Sequence, residues 1–330
     1  MNWVASHALL QTNLELRSSP LLLSQVVETA HHGNQEEGQV LATVTAFLDS
    51  LSDKPPPLTE THKHVLPSAY AVDWRAHAGE LIQTPRNAYV AEMERRLERM
   101  REAGLRSFVQ SLADPAASAD TGLPPPRVWV DAGQGIAAVW AGFGMRSNGE
   151  EKYRGVGAFT LYSTSSSEQT EEEGKRGGGR WKIAAFADSR WDPEYFRPRP
   201  TPDAQATEEL LATARAFTAL LNSGKGDTDA AVLPGCITHR LDKNGLYSEP
   251  FQGLLLADET TGQQQRRNIE VLDGEGRAVG GVGFLWMHYA VGTAQEDGQM
   301  RTRSTATLTF LQRNGKWLVS GVQEAERLAS

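Results

Sequence analysis

The stretch Val65-Leu66-Pro67-Ser68-Ala69-Tyr70-Ala71-Val72-Asp73-Trp74 recurs in weaker form in the second half of the chain. The second copy reads Val232-Leu233-Pro234-Gly235-Cys236-Ile237-Thr238-His239-Arg240-Leu241. Each copy opens with Val-Leu-Pro and continues into an alternating run that is typical of a short β-strand. Self-similarity of this kind indicates a repeated structural unit, so the chain is predicted to be internally duplicated.

The segments around these two strands repeat as well. Leu41 to Phe47 (LATVTAF) matches Leu211 to Phe217 (LATARAF) at five of seven positions. Apolar side chains spaced three and four apart predict an amphipathic helix in this segment. Each half also has a Gly-x-Trp turn before a last strand, at Gly179-Arg180-Trp181 and at Gly315-Lys316-Trp317. The duplication is therefore supported by an ordered set of elements.

The length of 330 residues suits two domains of about 150 residues each. We predict an N-terminal helical extension over residues 1–37, a first domain over 38–195 and a second domain over 205–330. A Pro-rich linker at 196–204 separates the domains, and the Ser-, Glu- and Gly-rich segment 164–179 is predicted to be a flexible insertion.

The composition excludes several classes of partner. A formal net charge of -8 argues against nucleic acid, which is bound by an excess of clustered Lys and Arg. The single cysteine, Cys236, allows no intrachain disulfide, so we expect a reducing, cytoplasmic location. The sequence shows neither a signal-peptide core nor an apolar run of membrane-spanning length, and we expect no membrane contact.

The order of elements resembles the ketosteroid-isomerase-like cone, also called the SnoaL-like or nuclear-transport-factor-2-like fold. The segments that carry the resemblance are 41–47, 65–74, 135–143 and 179–186, with their counterparts in the second half. It implies an α+β protein of two tandem cone-shaped domains, each a curved antiparallel sheet wrapped around helices with an apolar pocket. Because such cones often pair through their sheets, we expect an intrachain pseudo-dimer. Further self-association or a protein partner stays open.

The resemblance places the general base of the isomerases at Asp73, with His64, His77 and Tyr70 as assisting groups. A carboxylate beside an apolar pocket has its charged form disfavoured, which raises its pKa toward a range useful for moving a proton next to a carbonyl group. The alternative interpretation is that Asp73 caps a turn or pairs with Arg75 at the rim.

Two further sets of residues are candidates for binding. In the first domain a hydrophobic ligand is expected to meet the aromatic residues and one carboxylate, although the aromatic residues could equally form the core and the contact between sheets. A second pocket is expected to differ chemically, because Arg240 replaces Asp73 there. The first-domain candidates are Trp74, Trp140, Phe143, Tyr153, Phe186 and Asp188, with Asp188 as a second carboxylate or a partner of Arg190; the second-pocket candidates are His239, Arg240, Trp286 and His288.

The resulting hypothesis is a cofactor-free isomerase, dehydratase or cyclase that acts on a hydrophobic small molecule in the first domain. No metal is expected, because His62, His64 and His77 lack a fourth ligand at suitable spacing. No nucleotide cofactor is expected either, since the loop Gly133-Gln134-Gly135 leads into a strand and not into a helix. The alternative is a non-catalytic ligand-binding, transport or scaffold protein that uses the pockets or the sheet face.

Overall fold

The computed structural model describes residues 20–52, 58–75, 80–114, 122–164, 181–191, 199–223, 230–242, 245–250, 267–293 and 302–325. The chain divides into a short unit, Met1–Gln35, and a large unit, Glu36–Ser330; the first helix begins in the short unit, and every contact described below lies within the large unit. Residues 1–19 of the predicted extension, residues 165–179 of the predicted insertion and residues 196–198 of the linker lie outside the described residues.

The first repeat consists of one mixed sheet and its helices. Its elements are α1 (Pro20–Ser50), a 3-10 helix (Thr59–Lys63), β1 (Val65–Arg75), β2 (Glu80–Pro85), α2 (Arg86–Glu102), β3 (Phe108–Leu112), β4 (Arg127–Asp131), β5 (Ile136–Ser147), β6 (Glu150–Ser163) and β7 (Trp181–Trp191). The strand order is β2-β1-β7-β6-β5-β3, and β4 also pairs with β5.

The second repeat has the same plan. Its elements are α3 (Asp203–Ser223), β8 (Val232–Asp242), β9 (Gly245–Pro250), β10 (Arg267–Val279), β11 (Val282–Thr293), β12 (Thr302–Arg313) and β13 (Lys316–Ala325). The strand order β10-β11-β12-β13-β8-β9 matches that of the first sheet strand for strand, once β4 is set aside. The predicted α+β architecture of two tandem sheets is therefore confirmed.

Each sheet departs from the antiparallel expectation at one pair of strands. The early strand β1 pairs in parallel with the last strand β7, and β8 pairs in parallel with β13. Strands that are distant in sequence need no hairpin between them, so either direction of pairing is available to them. Both sheets are consequently mixed.

The core of the first repeat lies between α1 and one face of its sheet. The predicted apolar stripe of α1 is buried, and Phe47 from this stripe contacts the rings of Phe159 on β6 and Phe186 on β7 at centroid distances of 6.3 and 5.4 Å. This face of the sheet is called the helix-side face below. In the second repeat, Leu210, Ala214 and Phe217 of α3 belong to the corresponding cluster.

The other face of each sheet, called the sheet-side face, packs against the opposite repeat. Phe284 of β11 contacts Trp129 and Trp140 at 5.4 and 6.3 Å between ring centroids. The hydroxyl groups of Thr160 and Thr307 lie 2.8 Å apart in the same buried layer. Aromatic contacts and a paired hydroxyl thus join the two repeats within one chain, as in an intrachain pseudo-dimer.

Candidate functional site

A group of polar side chains lies on the helix-side face of the first sheet, toward the end of β7. Asp188 is 6% exposed, and its Oδ2 accepts hydrogen bonds from Arg190 through Nε at 2.6 Å and Nη2 at 2.5 Å. Register pairs Asp188 with Gly157 and Arg190 with Gly155. One of the two predicted interpretations of Asp188, a partner for Arg190, matches this geometry.

Tyr153 lies beside this ion pair. The guanidinium of Arg190 is 5.4 Å from the centre of the Tyr153 ring, and Gln110 donates a hydrogen bond from Nε2 to the Tyr153 hydroxyl at 3.0 Å. Because this bond occupies a lone pair of the hydroxyl oxygen, the O–H proton stays available. Within the described part of the chain, the Tyr153 hydroxyl donates to no acceptor.

Gln110 is held in place by Ser52, which follows the end of α1. Its backbone N–H donates to the Ser52 hydroxyl at 2.8 Å, and the Ser52 hydroxyl lies 3.2 Å from its carbonyl oxygen. Its side chain is buried, with 4% of the residue exposed. Sequence reasoning missed Gln110 because β3 is short and gives no strand signal distinct from the loops around it. Its role depends on a contact with Tyr153, which is distant in sequence.

Aromatic rings cover the sheet next to this polar group. The Phe143 ring stands edge-on to Tyr153, at 6.4 Å between centroids. It occupies the space above Gly155, where a Cβ atom would lie 2.5 Å from Phe143 Cζ. Phe186 is 7% exposed and packs with Phe159. The predicted binding residues Phe143, Tyr153, Phe186 and Asp188 therefore share the helix-side face of one sheet.

The structure locates Asp73 through the backbone of β1 only. In the parallel pairing of β1 with β7, Asp73 is the register partner of Asp188. The side chains of Asp73 and Trp74, and the whole of His77, lie outside the described residues.

The remaining candidates of the first repeat lie elsewhere. Tyr70 is half-buried and lines a cavity that leaves about 10 Å³ for the centre of a water-sized molecule, enough for about one water. The carbonyl of His64 accepts a hydrogen bond from Ile183 N–H at 2.8 Å. Since Ile183 and Asp188 are five residues apart on β7, His64 lies roughly 16 Å along the strand from Asp188. Trp140 lies on the sheet-side face, in contact with Phe284.

In the second repeat, Arg240 occupies the strand position that corresponds to Asp73. The register partner of Arg240 is Glu324. Arg240 donates from Nε to Glu324 Oε1, while Tyr289 donates from its hydroxyl to Glu324 Oε2 at 2.9 Å. The Arg240 and Glu324 side chains are 10% and 12% exposed. Strand positions that hold two aspartates in the first repeat therefore hold a buried ion pair in the second. Glu324 and Tyr289 were not among the predicted site residues, although alignment of β7 with β13 points to Glu324.

His239 points away from Arg240, as alternation along a strand requires. It is 1% exposed, with Nε2 3.1 Å from the carbonyl oxygen of Ser68 and its ring 5.8 Å from the Tyr70 ring. Its Nδ1 is buried without a hydrogen-bond partner among the described residues. Burial lowers the pKa of His239, and the bond to Ser68 opposes this only in part. His239 thus lies between the repeats and not in a pocket with Arg240.

Trp286 and His288 also lie on the sheet-side face. Trp286 belongs to the apolar cluster that contains Trp140, and His288 Nδ1 lies 3.1 Å from the hydroxyl of Thr305. Thr305 in turn donates to Asp131 Oδ2 of the first repeat at 2.6 Å. The structure therefore separates Arg240 from the other three residues predicted to form a second pocket.

Within the described residues, no three His, Cys, Asp or Glu side chains are grouped as metal ligands would be. Burial raises the pKa of the Cys236 thiol, which disfavours the reactive thiolate. Among the helices that are described, none has the length and apolar character needed to cross a membrane.

No protein-family model and no curated protein matches this chain. Solved structures with some similarity include a cystatin-like-fold protein of unknown function from Nostoc punctiforme, 12% identical with a TM-score of 0.30 over 37% of this chain and 91% of its own. An NTF2-like protein of unknown function from Shewanella baltica is 10% identical, with a TM-score of 0.30 over 48% of this chain and 94% of its own. An NTF2-like protein with a cystatin-like fold from Novosphingobium aromaticivorans is 14% identical, with a TM-score of 0.31 over 38% and 85%. Each of these structures covers less than half of this chain. The two-repeat architecture is therefore argued from the sheet topology of this chain and not from these similarities.

Proposed function

We propose that the first repeat is a cofactor-free acid/base site for a hydrophobic small molecule that carries a carbonyl group. The observation that supports this is the difference between matched strand positions. Arg240 and Glu324 neutralise each other in the second repeat, whereas Asp73 and Asp188 stand in register in the first. Charging acidic residues at two paired strand positions is costly, and Arg190 pairs with only Asp188, so Asp73 would be the more basic of the two.

The residues of the first repeat would divide the work as follows. Arg190 occupies Asp188 in an ion pair, which leaves Asp73 to remove a proton from the carbon beside the carbonyl group. The electrons of the broken C–H bond pass to the carbonyl oxygen, which becomes an enolate. Tyr153 donates its free O–H to that oxygen, and Gln110 holds the phenol in place. Return of the proton from Asp73 to another carbon gives isomerisation; if the β-carbon carries a hydroxyl group, the enolate electrons can instead form the Cα–Cβ double bond while that hydroxyl takes the Asp73 proton and leaves as water.

The apolar part of the ligand would lie against Phe143. Its ring borders Tyr153, so an apolar body and a carbonyl oxygen could be bound at neighbouring points. Tyr70 lies three residues before Asp73 on β1 and His64 precedes that strand, so neither of these predicted assisting groups is assigned a proton transfer.

Ligand binding without turnover is the second candidate. It is favoured by the ion pair of Asp188 with Arg190, which already satisfies one carboxylate.

Deuterium exchange separates the two candidates because it detects proton removal from carbon whatever step follows. The protein is incubated in D₂O with a panel of enolisable hydrophobic ketones and aldehydes, and label on the α-carbon is followed by NMR. We expect catalysed exchange that is lost in Asp73→Asn. The control variant Asp273→Asn, which changes an exposed carboxylate on β10, should retain it. Binding in a thermal-shift assay without any exchange would favour the second candidate, and exchange that survives Asp73→Asn would refute the assigned base.

A further inference from the structure

A groove of about 360 Å³ opens at the far end of the second repeat, near the start of α3. Its volume falls in the range of about 300–1,000 Å³ that is typical of small-molecule sites. It is bounded by the chain before α3, the first turns of α3, the β10–β11 turn and the β12–β13 hairpin. The lining residues are Arg199, Thr201, Gln205, Glu209, Val279, Gly280, Gly281, Gln312 and Trp317.

The indole of Trp317 forms a fixed wall of this groove. Its Nε1 donates to Glu209 Oε2 at 3.0 Å, and Gln205 donates to Glu209 Oε1 at 2.9 Å. These two hydrogen bonds lower the pKa of Glu209, so the carboxylate that holds the indole stays ionised. A side chain held in this way loses little conformational freedom when a ligand binds.

The matched tryptophan of the first repeat shows that this exposure is not needed for the fold. Trp181 makes the same kind of bond, from Nε1 to Glu36 Oε2 at 2.7 Å, but is only 1% exposed. Trp317 is half-buried, and part of its ring is open to the groove.

Glycines and an anchored strand shape the floor and the side of the groove. Gly280 and Gly281 have φ angles of 61° and 82°, which glycine adopts without strain, and they place no side chains in the space. On the other side, Pro200 bridges to Val279, and Thr201 N–H donates to the Ala278 carbonyl at 3.2 Å.

Three polar side chains of the groove have unused hydrogen-bonding capacity. Among the described residues, Arg199 forms no ion pair and the amide of Gln312 no hydrogen bond, and both are exposed. The third is the hydroxyl of Thr201, which likewise bonds to none of the described residues. The lining contains one positive residue, Arg199, and one negative residue, Glu209, so the groove has no net attraction for an anion.

We propose that this groove binds a neutral sugar. Sugar hydroxyls both donate and accept hydrogen bonds, which matches an amide, a hydroxyl and a guanidinium side chain placed around one space. The apolar C–H face of the ring would pack on the Trp317 indole. The groove belongs to the second repeat, so this proposal is independent of the chemistry proposed for the first.

The test uses the full chain and a panel of D-glucose, D-galactose, D-mannose and N-acetyl-D-glucosamine, with inorganic phosphate as an anionic probe. Binding is measured by saturation-transfer NMR and by calorimetry. At least one sugar should saturate with a dissociation constant of about 1 mM or below, while phosphate should not. Gln312→Ala and Arg199→Ala should each weaken binding about fivefold to tenfold, because each removes a hydrogen bond.

Arg313→Ala is the matched control, since this exposed neighbour of Gln312 does not line the groove. It should bind sugar like the unchanged protein, as should Asp73→Asn. Absence of saturable sugar binding, phosphate binding in its place, or equal affinity of the Gln312 and Arg313 variants would overturn the proposal.

Discussion

Arg240 and Glu324 form a buried ion pair across the parallel strands β8 and β13 of the second repeat. The structurally matched residues of the first repeat, Asp73 and Asp188, are both acidic. The same two strand positions therefore hold an ion pair in the second repeat and two acidic residues in the first, where Asp188 pairs instead with Arg190. This difference is the basis for assigning chemistry to the first repeat alone.

The Arg240–Glu324 pair should be costly to break and cheap to replace. Glu324→Gln leaves a buried guanidinium without its counter-charge, so the free energy of unfolding should fall by about 3–5 kcal/mol. The double variant Arg240→Met with Glu324→Leu removes both charges, so its free energy of unfolding should fall much less. Urea unfolding followed by circular dichroism measures both. Lys152→Ala, which breaks the exposed pair with Glu150, should leave the free energy of unfolding nearly unchanged; a similar loss in all three variants would contradict the argument.

His239 should make stability depend on pH. Its pKa is lowered in the folded protein because the ring is buried, so the unfolded chain binds the proton more readily. The stabilisation is present above the unfolded pKa of about 6.5 and is lost as the pH falls through the lower folded pKa.

The measurement for His239 is urea unfolding between pH 5 and pH 8. His239→Gln keeps an amide donor for the Ser68 carbonyl but does not titrate. The difference in stability between the unchanged protein and this variant should shrink toward acid pH. A difference that is constant over this range would show that His239 does not titrate differently in the two states.

Gly276 allows α3 to approach β10. A Cβ atom at this position would lie 2.8 Å from Thr207 Cα, so Gly276→Ala must push the helix away and should cost about 1–3 kcal/mol. Gly38 in α1 offers the matched control because a Cβ added there would meet no described atom within 4 Å apart from its chain neighbours and its own helix backbone. There the same substitution should stabilise the protein by about 0.5–1 kcal/mol through helix propensity. Thermal unfolding of both variants checks the opposite signs, and equal effects would refute the packing argument.

Tyr153 should affect reaction rate more than stability. Tyr153→Phe removes the O–H proposed to meet the enolate oxygen, and loss of one such donor typically lowers kcat about 10²- to 10³-fold. Because the Tyr153 hydroxyl accepts a bond from Gln110, the free energy of unfolding should fall by only about 1 kcal/mol. The deuterium-exchange assay measures the rate, and urea unfolding measures the free energy of unfolding. Exchange at an unchanged rate would exclude Tyr153 as the donor.

Much of the fold could be predicted from local patterns. The repeated Val-Leu-Pro strands, the twin helices and the Gly-x-Trp turns indicate two similar units, and Val44, Phe47 and Leu48 of the predicted apolar stripe of α1 are buried. The short strand β3 could not be predicted in this way. The parallel pairs β1–β7 and β8–β13 were also missed, because no turn in the sequence dictates the direction of pairing between distant strands.

The candidate site shows more clearly what sequence patterns could not predict. Alternation in the sequence separates Trp140 from Phe143 and His239 from Arg240, but it does not say which member of each pair meets the helix and which meets the other sheet. Only the tertiary structure puts Trp140 and His239 between the repeats and joins Gln110, Tyr153 and Arg190 into one group. The sequence by itself determined the two repeated units, because helix and strand periodicity is local. The tertiary structure decided the site, because its contacts join residues that are distant in the chain.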